Sequence, residues 1–188
     1  MKTVEDFIKV YDNIFDEDYC QELIDYFNNG EPIFRNSDNK PRFYEFGLQP
    51  EMMELMIWTV APFLDKYVKS VGCEQWLPEK FCWEFGRVKK YNKNTEDQFA
   101  PHVDVGDRQS SKRFLAFLIY LNDVEEGGDT EFRDLNISVK PKKGSILVWK
   151  NVLPGTTKVH PLSLHAGRPV TGGEKYAFNL WFRENKFV

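Results

Sequence analysis

Phe114-Leu115-Ala116-Phe117-Leu118-Ile119-Tyr120-Leu121 is an unbroken apolar run, bounded by Arg113 before it and Asn122-Asp123 after it. Side chains alternate in direction along a strand, so a strand made of this run has two apolar faces and must be covered on both. The surrounding chain offers the cover. Strand-like segments follow at 130–133, 137–140, 145–149 and 162–165, with turns at Glu125-Glu126-Gly127-Gly128 and Pro141-Lys142-Lys143-Gly144. Another precedes it at 80–91, where Phe81, Trp83 and Phe85 share a face.

The last strand, 174–183, divides cleanly. Tyr176, Phe178, Leu180 and Phe182 fall on one face; Lys175, Ala177, Asn179, Trp181 and Arg183 fall on the other. A sheet with helices outside and a polar cavity inside produces this split. The first third of the chain supplies the helices. Residues 14–27 read as an amphipathic helix, with Asp16 as N-cap, an acidic first turn, and Tyr19, Leu23, Tyr26 and Phe27 on the buried face. Residues 50–71 read as a second, started by Pro50 and stopped by Gly72. Its apolar side is Met52, Leu55, Met56, Thr59, Pro62 and Phe63, and Pro62 is expected to kink or divide it. Between the helices, 31–49 reads as a loop, because Pro32, Asn36, Ser37, Asp38, Asn39 and Pro41 are turn chemistry. Helices followed by short strands imply an α+β fold, a jelly-roll (double-stranded β-helix) barrel buttressed by N-terminal helices.

The 188 residues suffice for one domain that buries roughly 70% of the surface of its unfolded chain. We expect a single domain over 1–188, with 1–76 a mainly helical support and 77–188 the jelly-roll core. The formal charge of −4 argues against a protein that grips phosphate backbones, and no basic, aromatic-interleaved run marks a nucleic-acid surface. Cys20, Cys73 and Cys82 are widely spaced and odd in number, a poor disulfide framework. Met1-Lys2-Thr3-Val4-Glu5-Asp6 lacks an apolar segment of the secretory kind, and no run approaches the ~18 apolar residues of a membrane span. A soluble, cytoplasmic protein is expected.

Chemistry concentrates at Gln98-Phe99-Ala100-Pro101-His102-Val103-Asp104-Val105-Gly106. If this run is extended, His102 and Asp104 point to one face and aim at one spot. An imidazole and a carboxylate converging there are two thirds of the two-His-one-carboxylate triad that holds non-haem Fe(II) with open positions. His160 or His165 could complete it. His165 sits at a strand end and His160 in a loop before Pro161, so His165 is favoured, ligands being best held on rigid elements. By strand parity Lys175 faces inward with Trp181, and a lysine inside a low-dielectric barrel needs an anion.

Four stretches carry a resemblance: Tyr91…His102-Val103-Asp104; Arg113…Tyr120-Leu121-Asn122-Asp123-Val124-Glu125-Glu126-Gly127-Gly128-Asp129-Thr130-Glu131-Phe132; Pro141…Lys143-Gly144; and Leu164-His165-Ala166-Gly167-Arg168-Pro169-Val170…Gly173-Glu174-Lys175-Tyr176…Trp181. In order and spacing, over roughly 80–183, they resemble the catalytic domain of prolyl 4-hydroxylases, which are Fe(II)/2-oxoglutarate dioxygenases. The resemblance implies that His102, Asp104 and His165 bind Fe(II), and that Lys175 pairs with the distal carboxylate of 2-oxoglutarate. It implies that Tyr91 and Thr130 hydrogen-bond that co-substrate, that Trp181 lines the cavity near the metal, and that Arg113 faces the substrate side. O2 would be the oxidant and ascorbate a reductant. The family's usual Thr three residues after that Arg is Ala116 here, so one polar contact differs.

The implied reaction is hydroxylation of an unactivated C–H bond, most simply C4 of a peptidyl proline, with release of succinate and CO2. Two alternatives stand beside it. The same chemistry could serve a free amino acid, another protein side chain or a small metabolite. A metal- or ligand-binding barrel without turnover is the other. The segments 31–42, 92–98 and 107–112 are expected to border the cavity mouth, where specificity is set.

Overall fold

The computed structural model describes residues 7–37 and 40–185; residues 1–6, 38, 39 and 186–188 lie outside them. In chain order the elements are β1 (Ile8–Tyr11), α1 (Glu17–Asn29), β2 (Ile33–Ser37), β3 (Lys40–Gly47), α2 (Pro50–Val71), β4 (Phe81–Tyr91) and β5 (Phe99–His102). Then come β6 (Arg113–Tyr120), β7 (Glu126–Gly127), β8 (Thr130–Phe132), β9 (Ile137–Val139), β10 (Ile146–Lys150), β11 (His165–Gly167), β12 (Val170–Gly172) and β13 (Lys175–Glu184).

The apolar run became β6, and it lies inside the larger sheet, ordered β1-β10-β6-β13-β4-β3-β2. Its Leu115, Phe117 and Ile119 join α1 residues Leu23 and Phe27 and α2 residues Met56, Val60 and Leu64 in one core. Its Ala116 and Tyr120 face the other way, into a second cluster with Phe132 and Trp149. Each fully buried Leu, Ile or Phe of this kind contributes about 1.5–3 kcal/mol, so covering both faces is a major stabilising term. A smaller sheet, β5-β11-β8-β9, closes over the inner face, and β12 pairs with β7 beside it. The two packed antiparallel sheets with helices on one outer side are the expected α+β jelly roll.

The parity of β13 holds. Tyr176, Phe178, Leu180 and Phe182 pack toward the helices, while Lys175, Ala177, Asn179 and Trp181 line a cavity between the sheets. α1 starts as expected, the Asp16 carboxylate accepting from the Tyr19 N–H at 2.7 Å.

Two expectations are corrected. The segment 31–49 is not a loop: β2 and β3 form a hairpin that extends the larger sheet through β3–β4 pairing. An edge hairpin tolerates Pro and turn residues that a central strand would reject, which is why its composition reads as loop. With β1 added, the described residues up to 76 carry three strands beside the two helices. Finally, α2 runs unbroken through Pro62, which sits on its exposed side. Its buried stripe is Met53, Met56, Val60, Leu64, Tyr67 and Val68, whereas Leu55 and Trp58 are exposed. The helix is apolar on more than one side, and the sheet selects the side.

No helix among the described residues is long and apolar enough to cross a membrane. The three cysteines are free thiols; burial pushes those of Cys20 and Cys73 up to about 11, so both stay protonated and unreactive.

One close approach holds β4 against β13 near the cavity. A Cβ on Gly86 would lie 1.9 Å from the Asn179 carbonyl oxygen and 2.5 Å from the Phe178 ring. It sits where the β4–β13 register shifts, between Asn179 and Trp181. Gly86→Ala is therefore expected to lower stability by about 1–3 kcal/mol, the usual cost of overpacking. Urea titration measures it, and an unchanged midpoint would mean that the two strands part without cost.

Candidate active site

The smaller sheet brings His102 and His165 together as direct register partners, one ending β5 and the other starting β11. Asp104 follows two residues after His102, but β5 stops at His102, so the run is not one continuous strand. The carboxylate reaches the same spot from the loop. Its Oδ1 lies 3.7 Å from His102 Nε2 and 3.9 Å from His165 Nε2, and the three donor atoms all lie within 4.8 Å of one another. Side-chain exposures of 10, 8 and 8% for His102, Asp104 and His165 keep the cluster nearly dry.

Each of the three is aimed by a second contact. His102 Nδ1 meets the Ala100 carbonyl at 2.8 Å, and His165 Nδ1 meets the Ser163 carbonyl at 2.9 Å. A carbonyl can only accept, so each Nδ1 carries the proton and each Nε2 keeps its lone pair for a metal. Trp181 donates its indole N–H to Asp104 Oδ2 at 2.9 Å, leaving Oδ1 for the same point. Phe99 stacks on the His102 ring at 3.5 Å, and Trp149 packs edge-on to His165 at 4.8 Å. Burial would raise the Asp104 carboxyl, but His165, His102 and the Trp181 N–H outweigh it and hold it well below the usual range. Burial lowers His165 to about 4, so its imidazole is neutral near pH 7. Two imidazoles that each turn Nε2 inward and one carboxylate are the donor set that suits Fe(II), and the fit rests on these orienting bonds.

Lys175 stands across from Tyr91 on the β13–β4 pair and is 3% exposed. Its ammonium donates to the Gly128 carbonyl at 2.6 Å, a group presented by a left-handed glycine at φ +71. No carboxylate lies within ion-pair range of it among the described residues; desolvation dominates and pulls it down to about 7, with Asp129 compensating only in part. Such a cation is costly to bury and is built to meet an anion. Thr130 Oγ1 accepts from the Tyr120 hydroxyl at 2.7 Å, which leaves Thr130's own proton free to donate. Tyr91 lines the same cavity with Thr130, Lys175 and the triad.

Arg113 is placed differently from these. It lies outside the inner cavity, in a groove that Asp104, Phe43 and Trp181 also line. Its Nε and Nη2 bond the Glu84 carboxylate, and its Nη1 donates to the Asp104 carbonyl at 3.1 Å. Its guanidinium stacks over Trp181 at 3.8 Å. Arg113 thus braces the Asp104 loop and Trp181. Of the segments expected at the mouth, 31–42 contributes Arg35 and Pro41 and 107–112 contributes Asp107, Gln109 and Ser110, whereas 92–98 contributes none of the lining. His160 stands apart from the triad, its Nδ1 accepting from the Leu162 N–H at 3.2 Å and its ring 4.5 Å from Phe7.

Sequence reasoning missed Tyr120, which stands behind the cavity wall, and Lys89, which lines the cavity. Tyr120 positions Thr130, and Lys89 projects into the cavity from β4. Lys89 was findable, since it lies two residues before Tyr91 on one strand and must share its face.

The model of the 2OG-Fe(II) oxygenase superfamily matches residues 86–183, more than half of the chain and all the residues above that line the inner cavity. The chain belongs to the 2OG-Fe(II) oxygenase superfamily. Members of this superfamily use Fe(II), 2-oxoglutarate and O2. Among its relatives, the "Putative prolyl 4-hydroxylase" of Acanthamoeba polyphaga mimivirus is 51% identical over 79 residues, 42% of this chain and 33% of that one. The prolyl 4-hydroxylase subunit alpha-1 of Gallus gallus is 33% identical over 96 residues, 46% of this chain and 18% of that one. The matches thus span a third or less of these relatives' length. A viral collagen prolyl hydroxylase from Paramecium Bursaria Chlorella virus-1, solved as a 2OG complex, superposes with TM-score 0.78 at 26% identity, covering 97% of this chain and 99% of that one.

Proposed function

We propose that the chain is a 2-oxoglutarate-dependent dioxygenase that hydroxylates C4 of a peptidyl proline, releasing succinate and CO2. The observation that carries this reading is one cavity holding both an aimed Nε2, Nε2, Oδ1 donor set and a buried lysine with no carboxylate in ion-pair range among the described residues. Prolyl hydroxylation itself is supported by the viral collagen prolyl hydroxylase, which matches nearly end to end. Its 2OG complex also supports placing the co-substrate here.

The geometry supports the following roles. His102, Asp104 and His165 hold Fe(II), which supplies the activation of O2 and the oxidative decarboxylation of 2-oxoglutarate. Lys175 pairs with the distal carboxylate, to which Thr130 and Tyr91 donate their hydroxyl protons. Trp181 fixes Asp104 through Oδ2, and Phe99 and Trp149 keep water from the histidines. On the substrate side Arg113 and Trp181 form part of the wall against which an extended, Pro-containing segment lies, a conformer with little entropy to lose. Ascorbate serves as reductant. All of 1–188 acts as one domain, 77–188 carrying the catalytic core, and three free thiols suit a cytoplasmic setting.

The test is to supply Fe(II), 2-oxoglutarate and ascorbate with Pro-rich peptides or free L-proline, then follow succinate and product mass. Peptide-stimulated succinate and a gain of one oxygen on proline are expected. Succinate that no proline compound stimulates would sink the prolyl assignment and leave the oxygenase standing; no iron-dependent succinate at all would favour a binding barrel.

Co-substrate binding should also depend on pH. Lys175 sits near 7 in the free protein, and a bound carboxylate raises it. Above pH 7 the free lysine is largely neutral, so binding of 2-oxoglutarate must be accompanied by uptake of a proton from solvent. Affinity is then full below pH 7 and falls by up to about tenfold per unit above it. Calorimetry in buffers of different ionisation enthalpy reads this as proton uptake, and a pH-independent affinity without uptake would contradict it.

A further inference from the structure

Two lysines enter the cavity two rungs apart on the same strand pair: Lys175 opposite Tyr91, and Lys89 opposite Ala177. The first is assigned to the co-substrate. The second has no assigned work. Lys89 is 9% exposed, and its ammonium sits among three rings, 4.9 Å from the centroid of Phe43, 5.3 Å from Phe99 and 5.9 Å from Trp181. Among the described residues it makes no hydrogen bond and has no carboxylate within ion-pair range.

The two nearest acids are already engaged. Glu45 is bonded by Arg35 at 2.6 Å and approached by Arg87 at 3.7 Å. Asp104 takes the Trp181 N–H on Oδ2 and turns Oδ1 to the two histidines. Desolvation therefore dominates at Lys89 and lowers it to about 8, with Asp104 and Glu45 opposing. A hydrophobic residue would fill this aromatic box without that cost. Ala177, the partner of Lys89 across the pair, adds only a methyl group to the cavity wall there. Lys89 also lines both the inner cavity and the outer groove, so it stands where a substrate passes to reach the triad.

We propose that Lys89 binds a carboxylate of the substrate to be oxidised, so that the enzyme selects proline compounds carrying an anionic group beside the reacting ring. The carboxylate could be an acidic side chain next to the proline or the α-carboxylate of proline itself. This rests on the prolyl reading above for the identity of the ring, but the selection for an anion can be tested without turnover.

The test is calorimetric titration of the protein loaded with Fe(II) and saturating 2-oxoglutarate under anaerobic conditions. Two matched pairs serve as probes: a Glu-Pro peptide against its Gln-Pro counterpart, and L-proline against L-prolinamide. The acidic member of one pair should bind at least about thirtyfold more tightly, the lower end of the loss when one partner of a buried charge pair is removed. Which pair shows the difference identifies the source of the carboxylate. Lys89→Met should erase the preference and Lys89→Arg should keep part of it. The comparison within the wild-type protein stands even if a variant fails to fold. Equal affinity within both pairs, no binding by either acidic probe, or a preference that survives Lys89→Met overturns the proposal. So does a Lys89→Met variant that loses 2-oxoglutarate instead of the acidic probe. Admitting O2 afterwards separates the two readings: Lys89-dependent binding without oxidised proline sinks the prolyl assignment and leaves the anion selection in place.

Discussion

His165→Ala is expected to abolish succinate formation and tight Fe(II) binding, while His160→Ala leaves both near wild type. The reason is geometric. His165 Nε2 and Asp104 Oδ1 are 3.9 Å apart across a nearly dry pocket, and the Ser163 carbonyl fixes which nitrogen faces the other donors. Removing that ring leaves one imidazole and one carboxylate, too few to hold the metal. His160 instead caps the turn at Leu162 and packs on Phe7, so its loss should appear in thermal stability. Trp181→Phe is an intermediate case. It keeps the packing but frees Asp104 Oδ2, and losing such an orienting partner typically lowers metal affinity by about 10–100-fold. Titration with Fe(II) under anaerobic conditions ranks the three variants. Wild-type affinity in His165→Ala, or loss of affinity in His160→Ala, would show that the wrong histidine has been placed in the triad.

The second large effect has opposite signs for function and stability. Lys175→Met should raise the KM for 2-oxoglutarate roughly a hundredfold, because an unpaired distal carboxylate in a closed site costs about 3 kcal/mol or more. The same change should stabilise the ligand-free protein or leave it unaltered, since replacing a buried unpaired cation by a similar-sized apolar chain removes a desolvation penalty. The Gly128 carbonyl loses its one charged donor, which limits the gain. Steady-state kinetics and a thermal melt without co-substrate read the two halves. A normal KM would place the co-substrate's carboxylate elsewhere; a large fall in melting temperature would make Lys175 a structural residue.

Much of this site can be read from local pattern alone. Strand parity put Lys175 and Trp181 on one inward face, the unbroken run from Phe114 to Leu121 required a strand covered twice, and three histidines left few ways to complete a triad. These inferences hold because alternation along a strand is a property of the backbone, independent of what lies beyond it. The stripe that α2 buries, the edge hairpin β2–β3 and the engagement of Arg113 by Glu84 were not legible in that way. Each depends on a neighbour distant in sequence: the sheet that chooses among apolar sides of a helix, the strand that accepts an edge, the carboxylate that takes up a guanidinium. Lys89 shows the division within one residue. Its face follows from its distance to Tyr91, but only the packed sheets decide that this face is a dry cavity and that the nearby acids, Glu45 and Asp104, are already engaged. Periodicity assigns a side chain to a face, and tertiary packing alone determines the dielectric and the partners it finds there.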